Sequence, residues 1–389
     1  MFTVIYLDNA ATSAQKPEIV YETLSSFTRF HSANAGRGTS KESLFSLNAV
    51  INAQNAAAEL FNISKPQNIA FTQNATHALN AAILGTLLKG GHAVTTVMDH
   101  NSVLRPLFRL GNFTAVPADR YGFVSPYELE RAIRPDTKMI IISHASNVCG
   151  TVQNIKSAAK IARLRKIKLM IDAAQTAGIL TIDNSVLGAD FIAFSGHKGL
   201  MGPLGTGGLY VKEPDELEPV ITGGTGSDSE ALSQPRTMPD MLHSGTINTP
   251  AIAALSEGIK FILKTGTENI IAHERELAEL FRSELLNMDG VTVYGSGGNG
   301  AIGTVAFNID GADSFDACAM LSGFALRGGY HCAPLAHKAL GTEKTGAVRA
   351  SFGLFNTRAH AKALADAVFS AAAELRASNG RTFFQKPID

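Results

Sequence analysis

Between Asn68 and Leu209 one pattern repeats: a short apolar run, then a longer segment with apolar residues at helical spacing. The runs are Ile69–Thr72, Ala93–Val97, Met139–Ser143, Lys168–Asp172 and Phe191–Phe194. Parallel strands cannot be joined by a hairpin, and the helical segments supply the long crossovers that such strands need. Runs that are apolar throughout predict strands buried on both faces. The pattern therefore predicts an α/β fold with a mostly parallel sheet covered by helices, and Gly205–Val211 as a further strand of opposite direction. Helical spacing returns over Ile252–Leu263 and Glu268–Leu286. Strands are expected near Val291–Tyr294 and Thr304–Asn308, then a helix from Ser314, which together read as a second, smaller α/β unit. The Gly- and Ser-rich stretch Gly223–Glu230 reads as a loop, and the polar stretch after Ala377 as an unstructured tail.

A chain of 389 residues, 45% of them hydrophobic, can bury such a core without disulfides or metals. Lys plus Arg and Asp plus Glu both total 34, and a net charge of zero argues against nucleic acid or a membrane surface as partner. The three cysteines Cys149, Cys318 and Cys332 form no close pair, so neither a disulfide scaffold nor a zinc ribbon is expected, and a reducing cytoplasm fits them. No stretch approaches about eighteen apolar residues, and no basic segment leads into an apolar one at the start. Neither a membrane span nor an export signal is expected.

Ligands of α/β sheets gather at the carboxyl ends of the strands. Asp172 closes one run there, and Lys198 follows the next within Ser195-Gly196-His197-Lys198-Gly199. The two lie 26 residues apart, about one strand-helix-strand unit, which sets them side by side. Taken singly, such a lysine is a solvated loop residue and such an aspartate a helix cap. As a pair they offer an amine to a carbonyl and a carboxylate to a pyridine nitrogen, which suggests pyridoxal 5'-phosphate. Thr76, in Gln73-Asn74-Ala75-Thr76-His77 between a strand and a helix, is a candidate phosphate ligand; alternatively Asn74 or Thr76 only caps that helix. His100 can lie on the pyridine face or be an ordinary satisfied histidine. Asn147, after the third strand, can hydrogen-bond the phenolic oxygen of the cofactor.

Tyr6-Leu7-Asp8-Asn9-Ala10-Ala11-Thr12, Asp172-Ala173-Ala174-Gln175, Phe194-Ser195-Gly196-His197-Lys198, Ser244-Gly245-Thr246 and Arg327-Gly328-Gly329-Tyr330-His331-Cys332-Ala333-Pro334 together resemble the class V aminotransferases. Within that group they resemble the cysteine desulfurases and selenocysteine lyases, from about Tyr6 to about Thr357. The resemblance implies a fold-type I transferase dependent on pyridoxal phosphate. A mostly parallel, seven-stranded-type sheet would form a large domain of residues 15–255. A smaller α/β domain of residues 1–14 and 256–389 would carry a catalytic cysteine loop. Lys198 would hold the cofactor as a Schiff base, Asp172 would pair with the pyridine nitrogen, and Gln175 would contact the phenolic oxygen. His100 would stack on the ring, and Thr76, Ser195 and His197 would bind the phosphate. The resemblance further implies a homodimer in which Thr246 of the partner subunit completes the phosphate site.

A pyridoxal cofactor supports many reactions, and the groups around the substrate select one. An isolated cysteine such as Cys332 is ordinarily a small buried hydrophobe, and His331, Cys332 and His337 lack a fourth metal ligand, so no metal is expected. By resemblance, Cys332 is the cysteine that forms a persulfide. His331 beside it and Arg327 five residues before it offer positive charge that would favour the thiolate. Arg349, 17 residues further on, matches the arginine that clamps the substrate carboxylate through two parallel hydrogen bonds, with Arg327 and Asn147 as further substrate contacts. The other reading of Arg349 is a surface ion pair. Cys149 and Cys318 read as structural. The implied reaction converts L-cysteine to L-alanine, leaves the sulfur on Cys332, and passes it to an acceptor protein. The short segment from Cys332 to Arg349 resembles the subgroup with a compact catalytic loop. Two positions depart from the family: no histidine flanks Arg37 within Ala35–Ser40, and Tyr330 stands where the compact-loop subgroup usually has histidine. They leave open a selenocysteine lyase, or an aminotransferase or β-lyase acting on another amino acid.

Overall fold

The computed structural model describes residues 4–36 and 38–382. Arg37 lies outside the described residues, as does the tail beyond Thr382; a helix, Arg358–Thr382, continues past Ala377. Twelve strands occur among the described residues: β1 (Ile5–Tyr6), β2 (Ile69–Thr72), β3 (His92–Thr96), β4 (Phe113–Val116), β5 (Thr137–Ser143), β6 (Lys168–Asp172), β7 (Phe191–Ser195), β8 (Gly207–Val211), β9 (Val291–Tyr294), β10 (Thr304–Ile309), β11 (Phe324–Ala325) and β12 (Val348–Ser351).

Seven of them form one sheet in the order β2-β8-β7-β6-β5-β3-β4, in which only β8 runs against its neighbours. The direction expected for Gly205–Val211 holds, and β4 is an addition: a four-residue, mostly half-buried edge strand whose signal is too short to read. Alternate side chains of each central strand enter opposite cores. Ile140, Ile142, Leu169, Ile171, Ile192 and Phe194 pack on one face with the helices Lys41–Phe61, Ile155–Arg165 and Thr249–Thr265. Met139, Ile141, Met170, Phe191 and Ala193 pack on the other with Ala75–Leu87 and Asn101–Leu110. Burial on both faces is why these runs are apolar throughout, and each fully buried Ile, Met or Phe contributes about 1.5–3 kcal/mol.

A second, antiparallel sheet has the order β12-β10-β9 and is covered by the helices Thr267–Leu286 and Arg358–Thr382. Phe281 meets Phe307 and Phe352 edge to face there, with centroids 5.6 and 5.8 Å apart. The N-terminal segment joins this unit: β1 pairs in parallel with β11, and Leu7 is fully buried in its core. The helix Thr249–Thr265 runs across position 255/256 and packs on both N-terminal helices, Glu18–Phe30 and Lys41–Phe61. Among the described residues no helix is long and apolar enough to cross a membrane.

The register fixes where chemistry can occur. Ser143 pairs with Asp172 and Asp172 with Ala193, so β5 and β6 end level with one another and β7 runs two residues further at the same sheet edge.

Candidate active site

After Ser195 ends β7, the chain turns at Gly196, where a Cβ would stand 2.2 Å from Thr206 Oγ1. The turn delivers Lys198 to a cavity of about 170 Å³ that is also lined by Asp172, Gln175, His100, Asn147, Thr76, Ser195 and His197. Burial pushes the Lys198 amine down to about 8; Asp172 opposes the shift and Arg349 adds to it. Asp172 accepts the Ala174 N–H at 2.9 Å. Burial lifts its carboxyl to about 6, the Ala174 N–H works against the rise, and buried Asp99 adds to it. Asp99 itself accepts from Thr95 Oγ1, the N–H and Oγ1 of Thr96, and the N–H and Oγ of Ser143, at 2.7–2.8 Å. Burial pushes Asp99 upward, and the hydrogen bonds it receives from Ser143, Thr96 and Thr95 work against the rise.

At the other end of the cavity the helix Ala75–Leu87 begins. Asn74 caps it by accepting the His77 N–H at 2.9 Å, and Asn74, Ala75 and Thr76 of this helix start line the cavity. Gly207 lets β8 pass this cap, because a Cβ would lie 2.8 Å from Asn74 Cα and 2.8 Å from the Phe194 carbonyl oxygen. Ser102 joins the pieces, with its hydroxyl 2.7 Å from Thr76 Oγ1 and 2.9 Å from His100 Nδ1. His100 Nδ1 also accepts the Ser102 N–H at 3.0 Å, which puts the ring proton on Nε2. Burial holds His100 neutral, pushed down to about 4, with Lys198 and Arg105 adding to the shift. His197 Nδ1 is buried without a hydrogen-bond partner. Residues bearing an orphaned ring nitrogen, two hydroxyls, a helix N-terminus, a carboxylate and an amine line this one cavity. That donor set fits a phosphorylated pyridine aldehyde.

Arg349 lies on β12 and is almost fully buried. Its Nη1 donates to the Asn147 carbonyl at 2.8 Å and its Nη2 to Asp8 Oδ1 at 2.6 Å, while Nε has no partner. The other Asp8 oxygen receives Arg327, at 3.0 Å from Nε and 2.9 Å from Nη2. Both terminal nitrogens of Arg349 are thus already engaged. A clamp on a carboxylate through two parallel hydrogen bonds would use the free Nε–H with a second hydrogen of a terminal nitrogen.

Cys332 is exposed on the loop between β11 and the helix Pro334–Leu340. His331 and Cys332 both have left-handed backbone, with φ of 49° and 56°. For residues with a Cβ this costs about 1–2 kcal/mol each. Two contacts to the large sheet's strand ends hold the loop there: Asn147 Nδ2 donates to the His331 carbonyl at 2.6 Å, and the Asn101 N–H donates to the Cys332 carbonyl at 2.7 Å. The expected cationic help from His331 is corrected, because burial, with Arg349 beside it, pushes this ring down to about 3 and keeps it neutral. The positive neighbour that remains is Arg327, whose charge is favoured first by its bond to Asp8 and least by Cys332. Tyr330 turns away from the cysteine: its hydroxyl donates to the Glu343 carbonyl at 2.8 Å and its ring packs edge-on against His337.

The structure therefore gathers eight of the expected residues in one cavity, with Arg349, Arg327 and Cys332 beside it through Asp8, Asn147 and Asn101. Thr246 is not among them. It lines a neighbouring cavity of about 590 Å³ with His77 and His243, which shares Asn74 and His197 with the first. Asp8, Asp99, Ser102 and Ser143 were not anticipated. Asp8 sits inside the Tyr6–Thr12 motif and Asp99 beside His100, but nothing local indicates their distant partners, Arg349 and Arg327 for Asp8 and Ser143 for Asp99.

Comparison with known proteins adds identity to this geometry. The family model for aminotransferase class-V matches residues 5–364. A "Probable cysteine desulfurase" of Halalkalibacterium halodurans is 35% identical over 377 residues, covering 93% of this chain and 91% of the relative. Another of that name from Methanothermobacter thermautotrophicus is 33% identical over 369 residues, covering 91% of each. Among solved structures, the apo cysteine desulfurase of Thermococcus onnurineus superposes with a TM-score of 0.89 at 30% identity and covers 95% of both chains. The cysteine desulfurase CsdA of Escherichia coli superposes with a TM-score of 0.86 at 27% identity, covering 96% of this chain and 95% of that one.

Proposed function

The chain belongs to the class-V aminotransferase family, and on that premise we propose that it is a cysteine desulfurase dependent on pyridoxal phosphate. It converts L-cysteine to L-alanine and takes the sulfur onto Cys332 as a persulfide. The observation that carries the reading is an exposed cysteine whose loop is held by two carbonyl contacts, to Asn147 and Asn101. Those residues follow β5 and β3 in the same sheet whose strands β6 and β7 present Asp172 and Lys198. The working division is a large domain of residues 15–255 and a small one of residues 1–14 with 256–389, which puts the cofactor cavity in the first and Cys332 in the second.

Pyridoxal phosphate, when bound, supplies an electron sink for bonds broken at the substrate α-carbon. Lys198 would be its point of attachment, Asp172 would stabilise a proton on the pyridine nitrogen, and His100 would pack on the ring. Thr76, Ser195 and His197 would hold the phosphate, while Gln175 and Asn147 would serve the phenolic oxygen. The Lys198 amine, pushed down to about 8, has a far larger neutral fraction at neutral pH than an ordinary lysine, which suits it to receive the α-proton. Arg349, held at a fixed angle by Asp8 and Asn147, binds the substrate carboxylate, with Arg327 next to it. The Cys332 thiolate attacks the substrate sulfur: an S–S bond forms, the C–S bond breaks, and its electron pair leaves with the carbon that becomes the methyl group of L-alanine.

The same reading includes a homodimer in which Thr246 of the partner subunit reaches the phosphate, a protein acceptor for the sulfur, and a reducing cytoplasm that keeps the three free cysteines as thiols. The test is turnover by purified protein. L-Cysteine with a thiol reductant yields alanine and sulfide, and Cys332→Ala lowers sulfide release by about a hundredfold or more while the yellow cofactor absorbance persists. Undiminished sulfide release by that variant contradicts the role of Cys332. Running L-selenocysteine alongside fixes the selectivity.

A further inference from the structure

Two histidines of the small unit serve neither the cofactor cavity nor the carboxylate clamp. His331 Nε2 lies 3.1 Å from the Arg327 carbonyl, His331 Nδ1 lies 3.2 Å from His337 Nε2, and His337 Nδ1 lies 2.7 Å from Thr342 Oγ1. His337 and Thr342 are buried to about 1% exposure or less and His331 to 8%, so water does not compete for these groups. The partners fix each proton. A carbonyl can only accept, so His331 carries its hydrogen on Nε2, and as a neutral ring it must accept at Nδ1. His337 must then donate from Nε2 and accept at Nδ1, which leaves the Thr342 hydroxyl as the donor. Burial pushes both rings down and keeps them neutral; the Tyr330 carbonyl works against this at His337, while the charges of Arg349 and Arg327 add to it at His331.

The chain of bonds runs from the residue next to Cys332, through the helix Pro334–Leu340, to the turn that follows it. Gly341, left-handed at φ 73°, closes that helix and brings Thr342 back beneath His337, whose carbonyl accepts the Thr342 N–H at 2.8 Å. At its other end His331 is one of the two residues held in the costly left-handed conformation, and its own carbonyl is the one bonded to Asn147.

We propose that His337 and Thr342 are positioning residues for Cys332: with His331 they form a single-direction hydrogen-bond relay that locks the cysteine loop in its left-handed turn and so holds the sulfur-accepting side chain against the site. The relay rests on the desulfurase reading for its purpose, but its effect on the loop does not depend on turnover. Sequence shows only two histidines six residues apart; the structure uses their facing nitrogens on each other.

The experiment compares Thr342→Val, which keeps shape and removes the donor, with Thr342→Ser, which restores it, in the loaded full-length protein. Amide hydrogen exchange at Asn101, whose N–H is bonded to the Cys332 carbonyl, reports the lock directly. Thr342→Val is expected to speed that exchange about tenfold, the effect of losing one buried hydrogen bond. It also lowers kcat for alanine formation by a similar factor, with KM within about twofold and the cofactor spectrum unchanged. Thr342→Ser returns all of these to wild type. His337→Phe, which keeps a ring and removes both nitrogens, acts in the same direction as Thr342→Val. Wild-type exchange at Asn101 in folded Thr342→Val protein overturns the relay. If instead the desulfurase reading is wrong, alanine formation is missing from every variant and from the wild type, while the exchange difference remains.

Discussion

At the scale of single residues the site combines groups whose role is local with groups whose role is set by distant partners. Asp172 and Lys198 were legible because one strand-helix-strand unit separates them and both end up on one sheet edge. Asp8 was not, since its meaning comes from Arg349, 341 positions later, and Asp99 was not, since its donors converge from β3 and β5. His331 was misread for the same reason: its neutrality follows from burial and from two arginines, neither visible in the Tyr330-His331-Cys332 string. Glu274 is a further buried carboxyl, on a small cavity shared with Lys198 and Gln175. Burial raises it from 4.5 to about 8, so between those pH values the folded protein keeps a proton that the unfolded chain has lost. Stability is therefore highest below about pH 4.5 as far as this group is concerned, and it falls as pH rises through that window. Glu274→Gln should flatten the slope, read as a smaller difference between denaturant midpoints at about pH 6 and about pH 8.5. Equal slopes for the two proteins contradict a neutral Glu274.

At the scale of elements the legible parts were those with continuous apolar runs, because a strand buried on both faces has few residue choices. The edge strand β4, mostly half-buried, lacked that signature, and the pairing of β1 with β11 joins two-residue strands that no periodicity can indicate. Close approach matters as much as apolarity. At Gly207, on β8, a methyl group would press on the Asn74 backbone and on the Phe194 carbonyl, so Gly207→Ala must push the strand away from the helix cap that faces the phosphate end. It is expected to cost about 1–3 kcal/mol in denaturant unfolding and to loosen cofactor retention measured by dialysis. A variant with wild-type stability and retention contradicts the close fit of β8 on that cap.

At the scale of the whole molecule, the cofactor cavity and the cysteine loop come from parts of the chain far apart in sequence, joined where residues 8, 101, 147 and 349 meet. Of these four the family resemblance supplied only Asn147 and Arg349; the bonds through Asp8 and Asn101 come from the folded structure alone. The helix Lys41–Phe61 exposes Leu44, Phe45, Leu47 and Ile51, an apolar face that suits the proposed homodimer. Light scattering should give a dimer, and Thr246→Val should weaken cofactor binding about tenfold without unfolding the protein; a fully active monomer contradicts this. The account as a whole depends on sulfur reaching one particular side chain. Protein mixed with L-cysteine in the absence of reductant, alkylated and digested, should show a single added sulfur on the Cys332 peptide, with alanine formed in equal amount and Cys149 and Cys318 unmodified. Alanine formed while Cys332 remains a plain thiol contradicts it.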